Sequence, residues 1–197
     1  LLESLVGTAR RGLVVCGPYD GNERFAQAVA RFATRAGYPI LADPLSQLRT
    51  GVHDTRMVVG CYDALLRQAR FAEWMRPDLI LRCGAVPTSK AFLQYVERHP
   101  ECTQVVVDPL GFWRDPTLLA AEVVRADPTL LFEGLADRMQ SVDHDAQWCD
   151  GWISADQCAA DVISGRLNET IELFEGKVFA ELAVLIPEGA TLYSGNS

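Results

Sequence analysis

The side chains able to do chemistry are scattered along the chain. Six cysteines, Cys16, Cys61, Cys83, Cys102, Cys149 and Cys158, form no C-x-x-C pair, and His53, His99 and His144 share no metal-like spacing with them or with one another. A tetrahedral metal centre needs several such ligands at short, paired intervals, so none is read here. Cys16 and Cys83 close apolar runs, where a thiol behaves as a small core hydrophobe, and a chain of this size does not need disulfide staples. All six are therefore expected to be reduced, in a cytoplasmic setting. The sequence holds no G-x-S-x-G elbow, Walker A motif, H-E-x-x-H pair or convincing carboxylate pair, so no catalytic residue is assigned.

Arginine supplies sixteen of the 18 basic side chains, and its planar fork suits carboxylates and phosphates where several converge. Arg49 and Arg56 lie in an aperiodic stretch, and Arg82 stands near the end of an apolar run, the side on which open α/β sheets bind ligands. These three form a candidate anion site; scattered surface arginines are the plainer reading.

Composition narrows the classes further. The 197 residues carry 26 acidic and 18 basic side chains, net −8, with 49% hydrophobic residues, which excludes disorder. Residues 127–197 hold 13 acidic against 3 basic side chains, which disfavours nucleic acid and anionic membrane as partners, because phosphates reward clustered positive charge. No apolar run nears the roughly 18 residues of a membrane span, and no basic-then-apolar leader opens the chain, so neither insertion nor export is expected. A start at Leu1 without methionine, and an end on Gly195-Asn196-Ser197 directly after an apolar run, are expected of a fragment.

The elements that must position these residues follow from periodicity. Apolar residues at 12–16 stop at Gly17-Pro18; Phe25, Val29, Phe32 and Ala36 then recur at helical spacing between an Asn22 N-cap and Gly37. Residues 38–42 read as the next strand, closing a right-handed β-α-β crossover. The stretch 43–60 reads as a long loop, shortened by a short strand at 57–59, before one helix carrying Tyr62, Leu65, Leu66 and Ala69. Strands are predicted at 78–83, 103–107 and 122–125, with helices starting at Thr88 or Ser89 and at Asp127-Pro128. The fold expected is α/β: a three-layer, Rossmann-like, mainly parallel doubly wound sheet. Further on, Trp148, Trp152, Ala155, Ala159 and Ile163 predict a helix ended by Ser164-Gly165, its tryptophans more often core than ligand cage. A second helix follows around Val178–Ile186, and then a strand at 190–193. The division expected is a domain over 1–142 and, over 143–197, a linker with the opening of another.

A fold of this kind raises the question of a dinucleotide. The first β-α turn, Gly17-Pro18-Tyr19-Asp20-Gly21-Asn22, lacks glycine at 19 and 22, where G-x-G-x-x-G needs it, and Asp20 adds like charge near the helix start. Asp43 stands where a ribose-binding acid would be, but Asp before Pro is more often a turn residue.

Five segments in order carry a resemblance: Leu13-Val14-Val15-Cys16-Gly17, Pro39 to Arg49, Arg82 to Lys90, Leu173 to Val178, and Leu192 to Ser197. Together they resemble the central domain, and the first step of the C-terminal domain, of the MenD family. These are thiamine diphosphate-dependent synthases of 2-succinyl-5-enolpyruvyl-6-hydroxy-3-cyclohexene-1-carboxylate in menaquinone or phylloquinone biosynthesis. The resemblance implies a carboligase that adds decarboxylated 2-oxoglutarate to isochorismate, with thiamine diphosphate and Mg2+ or Mn2+ held by domains outside this chain. It implies a homodimer or homotetramer for the full-length enzyme, and an inactive fragment. Lys90 corresponds to a family lysine near the substrate carboxylates, although Ala91 stands where some members carry arginine. Asn196 corresponds to a cofactor-lining position and Ser197 to a substrate-lining one. Two readings compete with this one: an autonomous nucleotide-binding domain or deacylase of the same general fold, and an interaction module that self-associates through exposed Trp148 and Trp152.

Overall fold

The computed structural model describes residues 2–139, 145–187 and 189–195. Strands β1 (Gly12–Cys16), β2 (Ile40–Ala42), β3 (Val58–Val59), β4 (Leu79–Cys83), β5 (Thr103–Val107) and β6 (Ala120–Val124) pair in the order β3-β2-β1-β4-β5-β6, every pair parallel. The expected doubly wound sheet is what forms. β1 and β4, at its centre, are buried at all positions, which is why their sequences run apolar without alternation.

Helices cover both faces. Val14, Cys16, Leu81 and Val105 meet α1 (Leu2–Thr8), α2 (Glu23–Ala36) and α6 (Pro128–Arg138) through Val6, Phe25, Phe32 and Phe132. Leu13, Val15, Ile80 and Val59 meet α3 (Tyr62–Leu66), α4 (Ala69–Trp74), α5 (Lys90–Arg98) and the start of α7 (Ala146–Glu169) through Tyr62, Ala72, Phe92 and Trp152. Each fully buried phenylalanine contributes about 1.5–3 kcal/mol. Asn22 caps α2 through the Phe25 amide at 3.2 Å, and Gly37 ends it at φ 66°, both as expected. The helix α1 was not expected; its carbonyl at Val6 accepts the buried Tyr38 hydroxyl at 3.0 Å.

Four expectations are corrected. The single helix from Tyr62 breaks into α3 and α4, because Gln68 turns to extended backbone and its carbonyl starts the new helix at the Ala72 amide. Ser164-Gly165 does not end α7, which runs to Glu169. Gly165 is not left-handed, and an interior glycine costs only about 1 kcal/mol against alanine. Residues 190–193 form no strand, since no described segment pairs with them, and Leu192 and Tyr193 are exposed. Trp148 and Trp152 are buried in the core, as their stripe predicts, the Trp148 indole donating to the Gly12 carbonyl at 2.9 Å, so it is the rival reading of an exposed self-association surface that is corrected.

The chain divides into two compact units, Leu1–Ala159 and Ala160–Ser197. In the second, α8 (Glu175–Leu185) buries none of its residues. The Thr170 hydroxyl donates to the Arg166 carbonyl at 2.7 Å, and the Thr170 carbonyl accepts from Lys177.

Candidate functional site at the carboxyl end of the sheet

In doubly wound sheets the ligand crevice opens where strand order reverses, here between β1 and β4. This chain fills that crevice with its own backbone. The Gly17 amide donates to the Cys83 carbonyl at 3.0 Å and the Ala85 amide to the Pro18 carbonyl at 2.8 Å. A Cβ on Gly17 would lie 1.7 Å from the Ala85 oxygen, and Gly84 takes φ 76° to allow the approach. A pyrophosphate has no room there. Tyr19, where a dinucleotide fingerprint needs glycine, packs on Phe25 with ring centroids 4.6 Å apart. Beneath the turn the Cys16 and Cys83 sulfurs hydrogen-bond at 3.1 Å; burial, then that bond, pushes the Cys16 thiol up, so it stays protonated.

The turn after β4 is held from two sides. Asp43, buried at the end of β2, accepts the Leu45 amide on Oδ1, and the Thr88 amide and hydroxyl on Oδ2, all at 3.0 Å. Its carboxylate is engaged in joining two loops. Ser89 caps α5, accepting the Phe92 amide at 3.1 Å while donating to Asp63 Oδ1 at 2.6 Å. Asp63 also receives Arg67 Nε at 2.7 Å; burial pushes its carboxyl up, but the bonds from Arg67 and Ser89 outweigh that and hold it below the usual range. Lys90, the next residue, therefore leaves the first turn of α5 from a fixed backbone. It is exposed and has no ion-pair partner among the described residues. An ammonium beside the positive end of a helix adds to the positive potential already there.

The three candidate arginines each have a separate partner. Arg49 Nε donates to the Ala42 carbonyl at 2.9 Å. Arg56, exposed, pairs with Asp54 at 2.6 Å, and its hydrogen bonds pull that carboxyl down to about 2. Arg82 is buried, its Nη2 2.9 Å from Asp115 Oδ1, in ion contact outside hydrogen-bond angles. The guanidinium charges of Arg56 and Arg82 are already paired with local carboxylates, which favours the plainer reading of separate arginines over a shared anion site. Asn196 and Ser197 lie outside the described residues.

Sequence reasoning missed Asp63, Asp108 and Asp115. A signal was present in the Asp-Pro steps at 43, 108, 115 and 127. Proline has no amide hydrogen to give, so each aspartate takes a later one: Leu45, Leu110, Thr117 and Leu130 donate to Asp43, Asp108, Asp115 and Asp127. Burial pushes the Asp115 carboxyl up, yet the Thr117 hydroxyl, the Ala120 amide and the charge of Arg82 bring it below the usual range.

Among the described residues no group of three His, Cys, Asp or Glu is arranged to hold a metal ion. With the switch crevice filled as well, these residues do not fit a diphosphate and its cation. The architecture is thus that of a Rossmann-like domain whose nucleotide crevice is sealed and whose carboxyl edge presents a braced turn. Comparison with known proteins makes this specific. The family model described as the middle domain of thiamine pyrophosphate matches residues 6–194, and the chain belongs to that family. It is 45% identical to 2-succinyl-5-enolpyruvyl-6-hydroxy-3-cyclohexene-1-carboxylate synthase of Geobacillus thermodenitrificans, over 98% of this chain and 32% of that protein. The synthases of the same name from Oceanobacillus iheyensis and Chloroflexus aurantiacus are 42% and 40% identical, over 100% and 95% of this chain and 34% and 32% of theirs. The kinship with MenD synthases expected from the motifs is borne out. The chain spans about a third of the length of these relatives.

Proposed function

We propose that this chain is the middle part of a thiamine diphosphate-dependent synthase that joins the decarboxylated 2-oxoglutarate unit to isochorismate in menaquinone or phylloquinone biosynthesis. The observation that carries this is the match to synthases of that name over nearly the whole chain at 40–45% identity. Thiamine diphosphate supplies the nucleophilic carbon when bound; with Mg2+ or Mn2+, it is held by parts of the enzyme beyond this chain. The residues here bind and orient. Lys90, projected from the turn that Asp43 and Asp63 brace, pairs with a substrate carboxylate; Asn196 and Ser197 keep the roles the resemblance implies for them, lining cofactor and substrate. The full-length enzyme acts in the cytoplasm as a homodimer or homotetramer.

The sealed crevice disfavours the autonomous nucleotide-binding reading, because backbone occupies the space a pyrophosphate needs. The test is turnover: the full-length polypeptide should consume 2-oxoglutarate and isochorismate together, and residues 1–197 alone should consume neither. Synthase activity from the isolated chain would overturn the assignment of the chemistry to other parts.

A further inference from the structure

Cys16 ends β1 and Cys83 ends β4, and the two stand in register on neighbouring strands at the centre of the sheet. Neighbouring strands run about 4.7–4.9 Å apart, inside the roughly 4.4–6.8 Å that a disulfide spans between Cα atoms. Both side chains enter the same buried layer, and their sulfurs already hydrogen-bond at 3.1 Å. A single buried thiol is ordinarily inert, since little of it ionises. A pair differs, because whichever sulfur gives up its proton has the other S–H directed at it, and a sulfenic acid formed on one meets the second thiol at once. Cys102, equally buried, has the Thr103 carbonyl as its neighbour at 3.6 Å instead. Directly after the two cysteines the chain enters the turns that seal the crevice, where the Gly17 amide meets the Cys83 carbonyl and the Ala85 amide the Pro18 carbonyl. The turn after β4 then runs on to Thr88, held by Asp43, and to Lys90.

We propose that Cys16 and Cys83 are a peroxide-responsive pair that closes into a reversible disulfide, and that this bond shifts the turn carrying Lys90. The second half rests on the reading of Lys90 as a substrate contact. In the step, one sulfur takes an oxygen from hydrogen peroxide to become a sulfenic acid, releasing water. The second thiol attacks that sulfur, and its proton leaves with the hydroxyl as another water. Two S–H bonds and the O–O bond break, one S–S bond and two O–H bonds form, and the two electrons lost by the sulfurs reduce the peroxide. In-register side chains begin about one strand spacing apart at Cβ, against roughly 3.5–4.5 Å in a relaxed disulfide, so closing the bond draws the ends of β1 and β4 together. A disulfide strained in this way is the readily reduced kind, suited to reversal by a thiol.

The test treats the reduced full-length polypeptide with hydrogen peroxide, blocks remaining thiols with N-ethylmaleimide in urea, and maps a non-reducing tryptic digest. The expected product joins the peptide Gly12–Arg24 to Cys83–Lys90, forms before Cys102 is oxidised, and returns to two free thiols with dithiothreitol. Cys16 and Cys83 both blocked by the maleimide at peroxide doses that oxidise the exposed Cys158, either one carried to sulfinic acid, or either joined to a different cysteine would overturn the proposal. In the same preparations oxidation should raise the KM for isochorismate severalfold, reversibly with dithiothreitol, while Cys16→Ala, which cannot close the bond, keeps its starting KM after peroxide. A mapped disulfide with KM unchanged, or the same rise in the variant, would overturn the link to the Lys90 turn. The peptide map needs no turnover, so the two readings fail separately: active enzyme without the disulfide fails this proposal alone, and reduced protein that consumes neither substrate fails the synthase reading alone.

Discussion

The unit Leu1–Ala159 buries every side chain of β1 and β4, whereas in the unit Ala160–Ser197 helix α8 buries none of its eleven residues. Both segments are apolar. In the first, apolar strands find helices on both faces, and Phe25, Phe32, Phe92 and Trp152 close the layers. In the second, Ile171, Leu173, Val184, Leu185 and Tyr193 stay largely exposed. A helix apolar around its circumference is ordinarily an interior one, and short helices draw their stability from packing. One unit thus carries its own core, and the other carries sequence suited to a core found elsewhere.

The largest expected effect tests the first half of that contrast. Trp152→Ala should cost about 4 kcal/mol, through lost burial and the cavity left behind, read as a drop in the urea midpoint; a loss under 1 kcal/mol would mean the helix start is not part of this core. Asp115→Asn should cost about 3 kcal/mol by leaving the buried Arg82 charge unpaired. It should also change the acid limb. Because the Asp115 carboxyl is depressed in the folded chain, its contribution is fully present above the unfolded value near 4 and is lost as pH falls through the lower folded value. Unfolding free energy measured from pH 7 to pH 2 should therefore fall less steeply below about pH 4 in the variant than in the parent. An unchanged acid limb would remove Asp115 from the account.

Gly17→Ala should cost about 2–3 kcal/mol, since the new carbon meets the Ala85 carbonyl and the two turns must separate. The variant should also lose hydrogen-exchange protection at the Ala85 amide, and retained protection would show that the crevice is not sealed as described. The smallest effect belongs to the second unit. Val184→Ser on exposed α8 should shift the thermal midpoint of the isolated chain by no more than about 0.5 kcal/mol equivalent. A large loss would mean that α8 has a core of its own.

Where the sequence was legible, one signal decided each element. Phe25, Val29, Phe32 and Ala36 at helical spacing, with Asn22 before and Gly37 after, left little else for that segment to be. The same logic failed at 164–165, because serine and glycine stop a helix only when the backbone can leave it profitably, and nothing there draws it out. It failed at 190–193 because a strand requires a neighbour that periodicity cannot supply. The site was less legible than the fold. Lys90 was found through motif resemblance, while the groups that fix its turn are remote in sequence: Asp43, after β2, lies 47 residues before it, and Asp63, in α3, meets Ser89 across two elements. For the arginines the sequence left two readings open, because the carboxylates that Arg56 and Arg82 meet, Asp54 and Asp115, take positions that depend on loop paths.

The proposed function has this chain position substrate through Lys90 while the cofactor is held mainly beyond residues 1–197. Its most direct test is Lys90→Ala in the full-length enzyme, with steady-state kinetics in isochorismate beside thiamine diphosphate titration. Losing one charge-assisted contact, about 1.5–3 kcal/mol, should raise the KM for isochorismate roughly 10- to 100-fold and leave thiamine diphosphate affinity unchanged. An unaltered KM, or a loss of cofactor affinity with substrate binding intact, would contradict it.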